Sequence, residues 1–211
     1  MDIQYYGANC LVINHKSTRI VVDDNLAGLG SKSIVKAEDV ALYTTIIAIN
    51  SSLRPSSRII FDGPGEYEVG DISIIGIAAK PFMNDNLGST ATIYKLVSAD
   101  QNILICGHIS EDLSERQLEQ IGTVDILFVP VGNNGYTLDP KGALKLIKDI
   151  EPKIIVPTHY SQQGINYPIP QISLEEVTKE LAIEVKDRTN KLKIKTSELS
   201  DSTQLIVLEK I

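Results

Sequence analysis

Residues 124–157 constrain the fold more than any other stretch of this sequence. Residues 124–131 (Val-Asp-Ile-Leu-Phe-Val-Pro-Val) form an almost unbroken apolar run, the pattern of a strand buried on both faces. Asp139 then offers a helix N-cap with Pro140 at the first helical position, and Ala143, Leu144, Ile147 and Ile150 recur on one helical face. Residues 153–157 (Lys-Ile-Ile-Val-Pro) return as a second strand. Strand, helix and strand in this order make a β-α-β unit, whose two strands run parallel through a right-handed crossover. Their C-terminal ends therefore open on one edge of the sheet, where binding sites in such sheets gather. That edge carries Asn133, Tyr136, His159 and Tyr160, and if residues 102–106 run the same way His108 joins them.

The rest of the chain reads as β-rich in front and α/β behind. Residues 3–13 and 19–23 are β-rich, separated by a polar hairpin connection at residues 14–18. Gly70-Asp71 joins strands at 66–69 and 72–77, and residues 98–101 join strands at 90–97 and 102–106. Residues 44–49, apolar and β-branched, are expected as a short buried strand. Ser114 with Gln117, and Ser173 with Glu176, are capping-box pairs that start two further helices, the first ending at Gly122. The chain closes on β segments near 191–195 and 203–208. No linker interrupts this order, so residues 1–211 are expected to form one domain.

Charge narrows the function classes. Twenty basic against 27 acidic residues leave a net charge of −7, the wrong balance for a nucleic-acid or anionic-membrane binder. The run Lys186, Arg188, Lys191, Lys193 and Lys195 does not change this, because residues 191–195 (Lys-Leu-Lys-Ile-Lys) alternate with period two, the pattern of a solvated strand face. Two cysteines, Cys10 and Cys106, make no disulfide framework, and with no signal-peptide or membrane-span pattern the expectation is a cytoplasmic protein. A small-molecule ligand is the partner this leaves; the sequence fixes no oligomeric state.

Histidine is both the usual metal ligand and the usual acid or base near neutral pH. Of three histidines, His15 lies in a polar hairpin, whereas His108 and His159 each follow a buried strand. Two imidazoles fall short of the three or four protein ligands zinc takes. Carboxylates that could complete a set are Asp23, Asp24, Asp62, Glu66 and Asp85, each with a turn or capping role as the simpler reading. Cys106 ends an apolar run and Cys10 sits inside one, so both read as inert packing rather than as nucleophiles. No serine elbow is present, and Gly63-Pro64-Gly65 is too short for a phosphate loop. The residues name no catalytic group.

Several segments together resemble the metallo-β-lactamase fold, especially its small metal-dependent hydrolase branch. They are Tyr6-Gly7 with the strand after it, Arg19 to Asp23, Phe61 to Val69, Gly122 to Gly132, Tyr136 to Asp139, and Glu151 to Tyr160, in the family's order over nearly the whole chain. The resemblance implies a four-layer αββα sandwich, an α/β fold (α+β by some schemes) with helices on both outer faces. It also implies one or two zinc ions that activate water for hydrolysis. This chain departs from the family at the ligands. Residues 48–54 replace the His-x-His-x-Asp-His motif with Ala-Ile-Asn-Ser-Ser-Leu-Arg, and Met83-Asn84-Asp85 stands where the next histidine belongs. His108 takes the place of the bridging aspartate, Ala8 that of an early histidine, and His159 alone matches a ligand position directly.

Full structural zinc sites bind with about 10–16 kcal/mol, which two imidazoles and an unaligned carboxylate do not approach. The expectation is a hydrolase-like protein with a degenerate metal site and no stoichiometric metal, its di-zinc activity lost or strongly reduced, serving as a binding or structural module. The alternative is a single-metal hydrolase of a small phosphoester, lactone or amide. It would use His108 and His159 with Asp24 or Asp85 on Zn or Mn, and Asn133, Tyr136 and Tyr160 would line the substrate site.

Overall fold

Strand pairing organises the chain into two sheets. The computed structural model describes residues 1–45, 57–82, 90–99, 101–193, 199–200 and 202–211. A five-stranded sheet runs in the order β1 (Asp2–Gly7), β2 (Cys10–His15), β3 (Thr18–Val22), β4 (Val40–Leu42) and β5 (Ile59–Phe61). The second sheet has eight strands in the order β12-β13-β11-β10-β9-β8-β7-β6. These are β6 (Gly65–Val69), β7 (Ile72–Ala79), β8 (Ala91–Ser98), β9 (Gln101–Ile105), β10 (Ile126–Pro130), β11 (Ile154–Thr158), β12 (Val185–Thr189) and β13 (Gln204–Leu208). Helices α1 (Glu115–Ile121), α2 (Pro140–Ile150) and α3 (Leu174–Leu181) lie against one another, and α1 also touches β7. The architecture is the αββα sandwich.

The β-α-β unit forms as its sequence dictates. β10 pairs with β11 and with β9, both in parallel, and every residue of β10 and β11 is buried. Asp139 caps α2 by accepting from the Gly142 amide, and both capping boxes close, Ser114 with Gln117 and Ser173 with Glu176. The buried face of α2 is Ala143, Leu146, Ile147 and Ile150, so Leu146 replaces the expected Leu144. One apolar cluster joins the two sheets and the helices, from Ile3, Leu11 and Val22 through Phe128 and Val156 to Ala143, Val177 and Leu205. A second cluster of Ala8, Cys10, Val12, Val21, Leu26, Leu29 and Ile165 covers the other face of the five-stranded sheet. Among the described residues the 3₁₀ turn Leu26–Leu29, Ile34 and Val35 beyond it, and the loop carrying Ile165 and Tyr167 pack into that cover.

The β-rich residues 3–13 hold two strands, because Gly7 (φ 107°) and Ala8 (φ 50°) turn the chain back so that Ile3 pairs with Ile13. Ahead of the strand expected at 44–49, Val40–Leu42 forms a strand between β3 and β5, and Thr45 makes a bridge to Ala91. Thr44 has left the ladder to bond the Asp23 side chain, and residues 46–49 lie outside the described residues. The segment near 191–195 contributes one bridge, Leu192 to Ile3, before residue 194 passes outside them too. Among the described residues no helix is long and apolar enough to cross a membrane.

Candidate functional site

Parallel pairing of β9, β10 and β11 delivers their following residues to one edge, and the edge is where the histidines meet. The His108 and His159 ring centroids are 4.7 Å apart with the planes at 88°. Tyr136, from the β10–α2 connection, stands 5.2 Å from the His108 ring and 5.3 Å from that of His159. Tyr167 closes the other side, its ring 4.9 Å from His159. His159 is buried, 1% exposed, and His108 is half-buried.

The five-stranded sheet supplies the other half of the edge. Asp23, just past β3, is buried and accepts from the Thr44 amide (2.7 Å) and hydroxyl (2.7 Å) and from Asn9 Nδ2 (2.6 Å). Asn9 Oδ1 in turn accepts from Thr158 Oγ1 at 2.8 Å, which ties the two sheets together. The His159 amide donates to the Ala8 carbonyl at 2.7 Å. Ala8, Asp23 and His159 all hold positive φ, at 50°, 44° and 59°. Such backbone costs of order 1 kcal/mol or more per residue and persists only where surroundings enforce it. Gly107 (φ 60°) permits the close approach of Thr44, whose Oγ1 would lie 2.2 Å from any Cβ there.

Burial sets the electrostatics. It holds the His159 imidazole well below its ordinary range, and the His108 charge adds to the effect. It also lowers His108, against the opposing pull of Asp23 and of a hydrogen bond to the Tyr136 backbone. Asp23 is raised by burial in spite of its Thr44 and Asn9 bonds. The edge therefore presents neutral imidazoles at neutral pH, groups able to accept a proton or a hydrogen bond. Cys106 offers no nucleophile, since burial pushes its thiol up to about 12.

The remaining candidates scatter. Asp24 serves its own loop, Oδ2 accepting from Ser33 Oγ and from the Ile34 and Val35 amides at 2.7–2.8 Å, while its buried Oδ1 has no partner among the described residues. Asp85 lies outside the described residues. Asn133 (φ 64°) shapes its turn, its amide donating to the Leu138 carbonyl and its side chain accepting from the Asn134 amide. Tyr160 turns away into the core beside Tyr5, with its hydroxyl 3.4 Å from the Leu208 carbonyl. His15 pairs with Asp71 at a distant hairpin. Sequence reasoning missed Tyr167, Gln171, Asn9 and Thr44. The first two sit in a loop with no period, and Asn9 and Thr44 looked like parts of strands.

These donors do not make the zinc centre that the fold implies. Among the described residues no three His, Cys, Asp or Glu side chains lie close enough to hold a metal ion. Both Asp23 oxygens are taken by Asn9 and Thr44, and residues 46–56 contain none of the four residue types.

Comparison with known proteins gives a consistent picture. Residues 2–159 match the family described as the beta-lactamase superfamily domain. A UPF0173 protein of Pyrococcus abyssi is 24% identical over 189 residues, covering 78% of this chain and 85% of that one. A UPF0173 metal-dependent hydrolase of Listeria monocytogenes is 21% identical over 198 residues, covering 76% and 86%. A Thermotoga maritima crystal structure, assigned as a zinc-dependent hydrolase of the metallo-beta-lactamase superfamily, superposes with a TM-score of 0.75 at 21% identity. That match covers 100% of this chain and 99% of the other, and it establishes the fold.

Proposed function

The chain belongs to the beta-lactamase superfamily, and on that premise we propose that it is a hydrolase-like member with a degenerate metal site. Its usual two-metal hydrolysis is lost or strongly reduced, and the sheet edge serves as a small-molecule-binding or structural module. The observation that carries this reading is how the edge donors are spent. Asp23 is saturated by Asn9 and Thr44, and among the described residues no third His, Cys, Asp or Glu joins His108 and His159 closely enough to hold a metal ion. The strained backbone at Ala8, Asp23 and His159 supports an edge kept in one geometry for an occupant. The named metal-dependent hydrolases among its relatives keep a second reading in play, a single-metal hydrolase of a small phosphoester, lactone or amide on Zn or Mn. The 4.7 Å approach of the His108 and His159 rings favours it.

One experiment separates the readings. The wild type and a His108→Ala/His159→Ala double variant are assayed on generic ester, lactone, amide and phosphodiester substrates with added Zn²⁺ or Mn²⁺. The degenerate-site reading expects no metal-dependent turnover from either protein. Turnover by the wild type, absent from a folded double variant, would overturn it in favour of the single-metal hydrolase.

A further inference from the structure

We propose that Gln171 is a positioning residue: its side-chain amide holds His159 as the Nδ1–H tautomer and leaves Nε2 as the free acceptor of the ring. In a neutral imidazole one nitrogen donates and the other accepts, and the hydrogen bond made by one decides the state of the other. His159 Nδ1 lies 3.3 Å from Gln171 Oε1. The Gln171 amide is not free to turn its NH₂ toward the ring, because Nε2 already donates to the Ile169 carbonyl at 2.7 Å. Oε1 can only accept, so Nδ1 carries the proton.

The surroundings are built to keep that amide in place. The Ile172 amide donates to the Gly132 carbonyl (3.0 Å) and the Ser161 amide to the Ile172 carbonyl (2.8 Å), so the backbone beside Gln171 is pinned at two points. A Cβ on residue 132 would lie 1.8 Å from Gln171 Oε1 and 2.2 Å from the His159 carbonyl, so glycine there is the condition for the clamp. Gln171 itself is buried, 8% exposed. Beside the ring, Tyr136 and Tyr167 lie at 5.3 and 4.9 Å, tilted by 47° and 43°, and restrict rotation of the imidazole. What results is a neutral acceptor nitrogen, and the occupant it suits brings an N–H or O–H donor. This holds whether or not the edge turns over a substrate.

The test is ¹⁵N NMR of the histidine-labelled protein near neutral pH, with His159 assigned by comparison with His159→Gln. In the wild type the Nδ1 signal is expected as the protonated type and Nε2 as the unprotonated type. In Gln171→Met, which keeps the side-chain volume, removes the side-chain acceptor and leaves the ring only its hydrogen bond to the residue 159 backbone, that pattern is expected to shift toward the Nε2–H form. A wild-type spectrum with the proton on Nε2 would overturn the proposal whether or not the variant folds. A folded Gln171→Met protein with the wild-type pattern would overturn it equally.

Discussion

His159 combines a left-handed backbone (φ 59°), near-complete burial and a neutral ring, and the last two make stability depend on pH. Its imidazole titrates well below the ordinary 6.5 because burial and His108 disfavour the charged form. As pH falls below 6.5 the unfolded chain takes up a proton that the folded chain refuses, so stability is complete above that value and declines on acidification. Asp23, raised above 3.8, contributes with the opposite sign as pH rises through the acid range. The expected outcome, read by thermal melts between about pH 7 and pH 5, is a falling midpoint in the wild type and a shallower fall in His159→Gln. Parallel curves would contradict it. His108 and His159 are legible in the sequence because each follows an apolar strand; the β-α-β rule fixes the direction of the strand before His159, and the parallel pairing of β9 with β10 brings His108 to the same edge. Tyr167 and Gln171 are not, because only the folding of their loop over the Gly132 backbone brings them to the ring.

Among the elements, the helices are the most locally determined. In α3, Ser173 accepts from the Glu176 amide (3.2 Å) while the Glu176 carboxylate accepts from the Ser173 amide (2.9 Å). Ser173→Ala is expected to cost about 1 kcal/mol in chemical denaturation, with an unchanged slope; a midpoint equal to wild type would contradict a load on this cap. The capping boxes and the apolar run of β10 were readable because their partners lie within a few residues. β12 was not, since Val185–Thr189 carries exposed Lys186, Asp187 and Arg188 and becomes a strand only by pairing in parallel with β13. A strand after Tyr6-Gly7 was legible from the family resemblance, but the tight turn that lays β2 back on β1 was not, because it rests on the positive φ of Gly7 and Ala8.

At the scale of the molecule, the two sheets are fastened at the site itself. Thr158 on β11 bonds Asn9, Asn9 bonds Asp23, and Asp23 bonds Thr44, a chain of protein groups running from one sheet to the other. One apolar cluster spans both sheets and all three helices, and its burial is the main force holding the fold together. The parallel pairing of β10 with β11 and the two-sheet architecture follow from the pattern of the sequence and from the family resemblance, whereas the fate of the metal site turns on particular side chains. The central claim, that this fold carries a degenerate metal site, is tested most directly by elemental analysis of protein purified without chelators. The account predicts no stoichiometric two-metal centre. About two zinc ions per chain, the complement of a two-metal hydrolase, would contradict it and place the ligands elsewhere than at His108 and His159 alone.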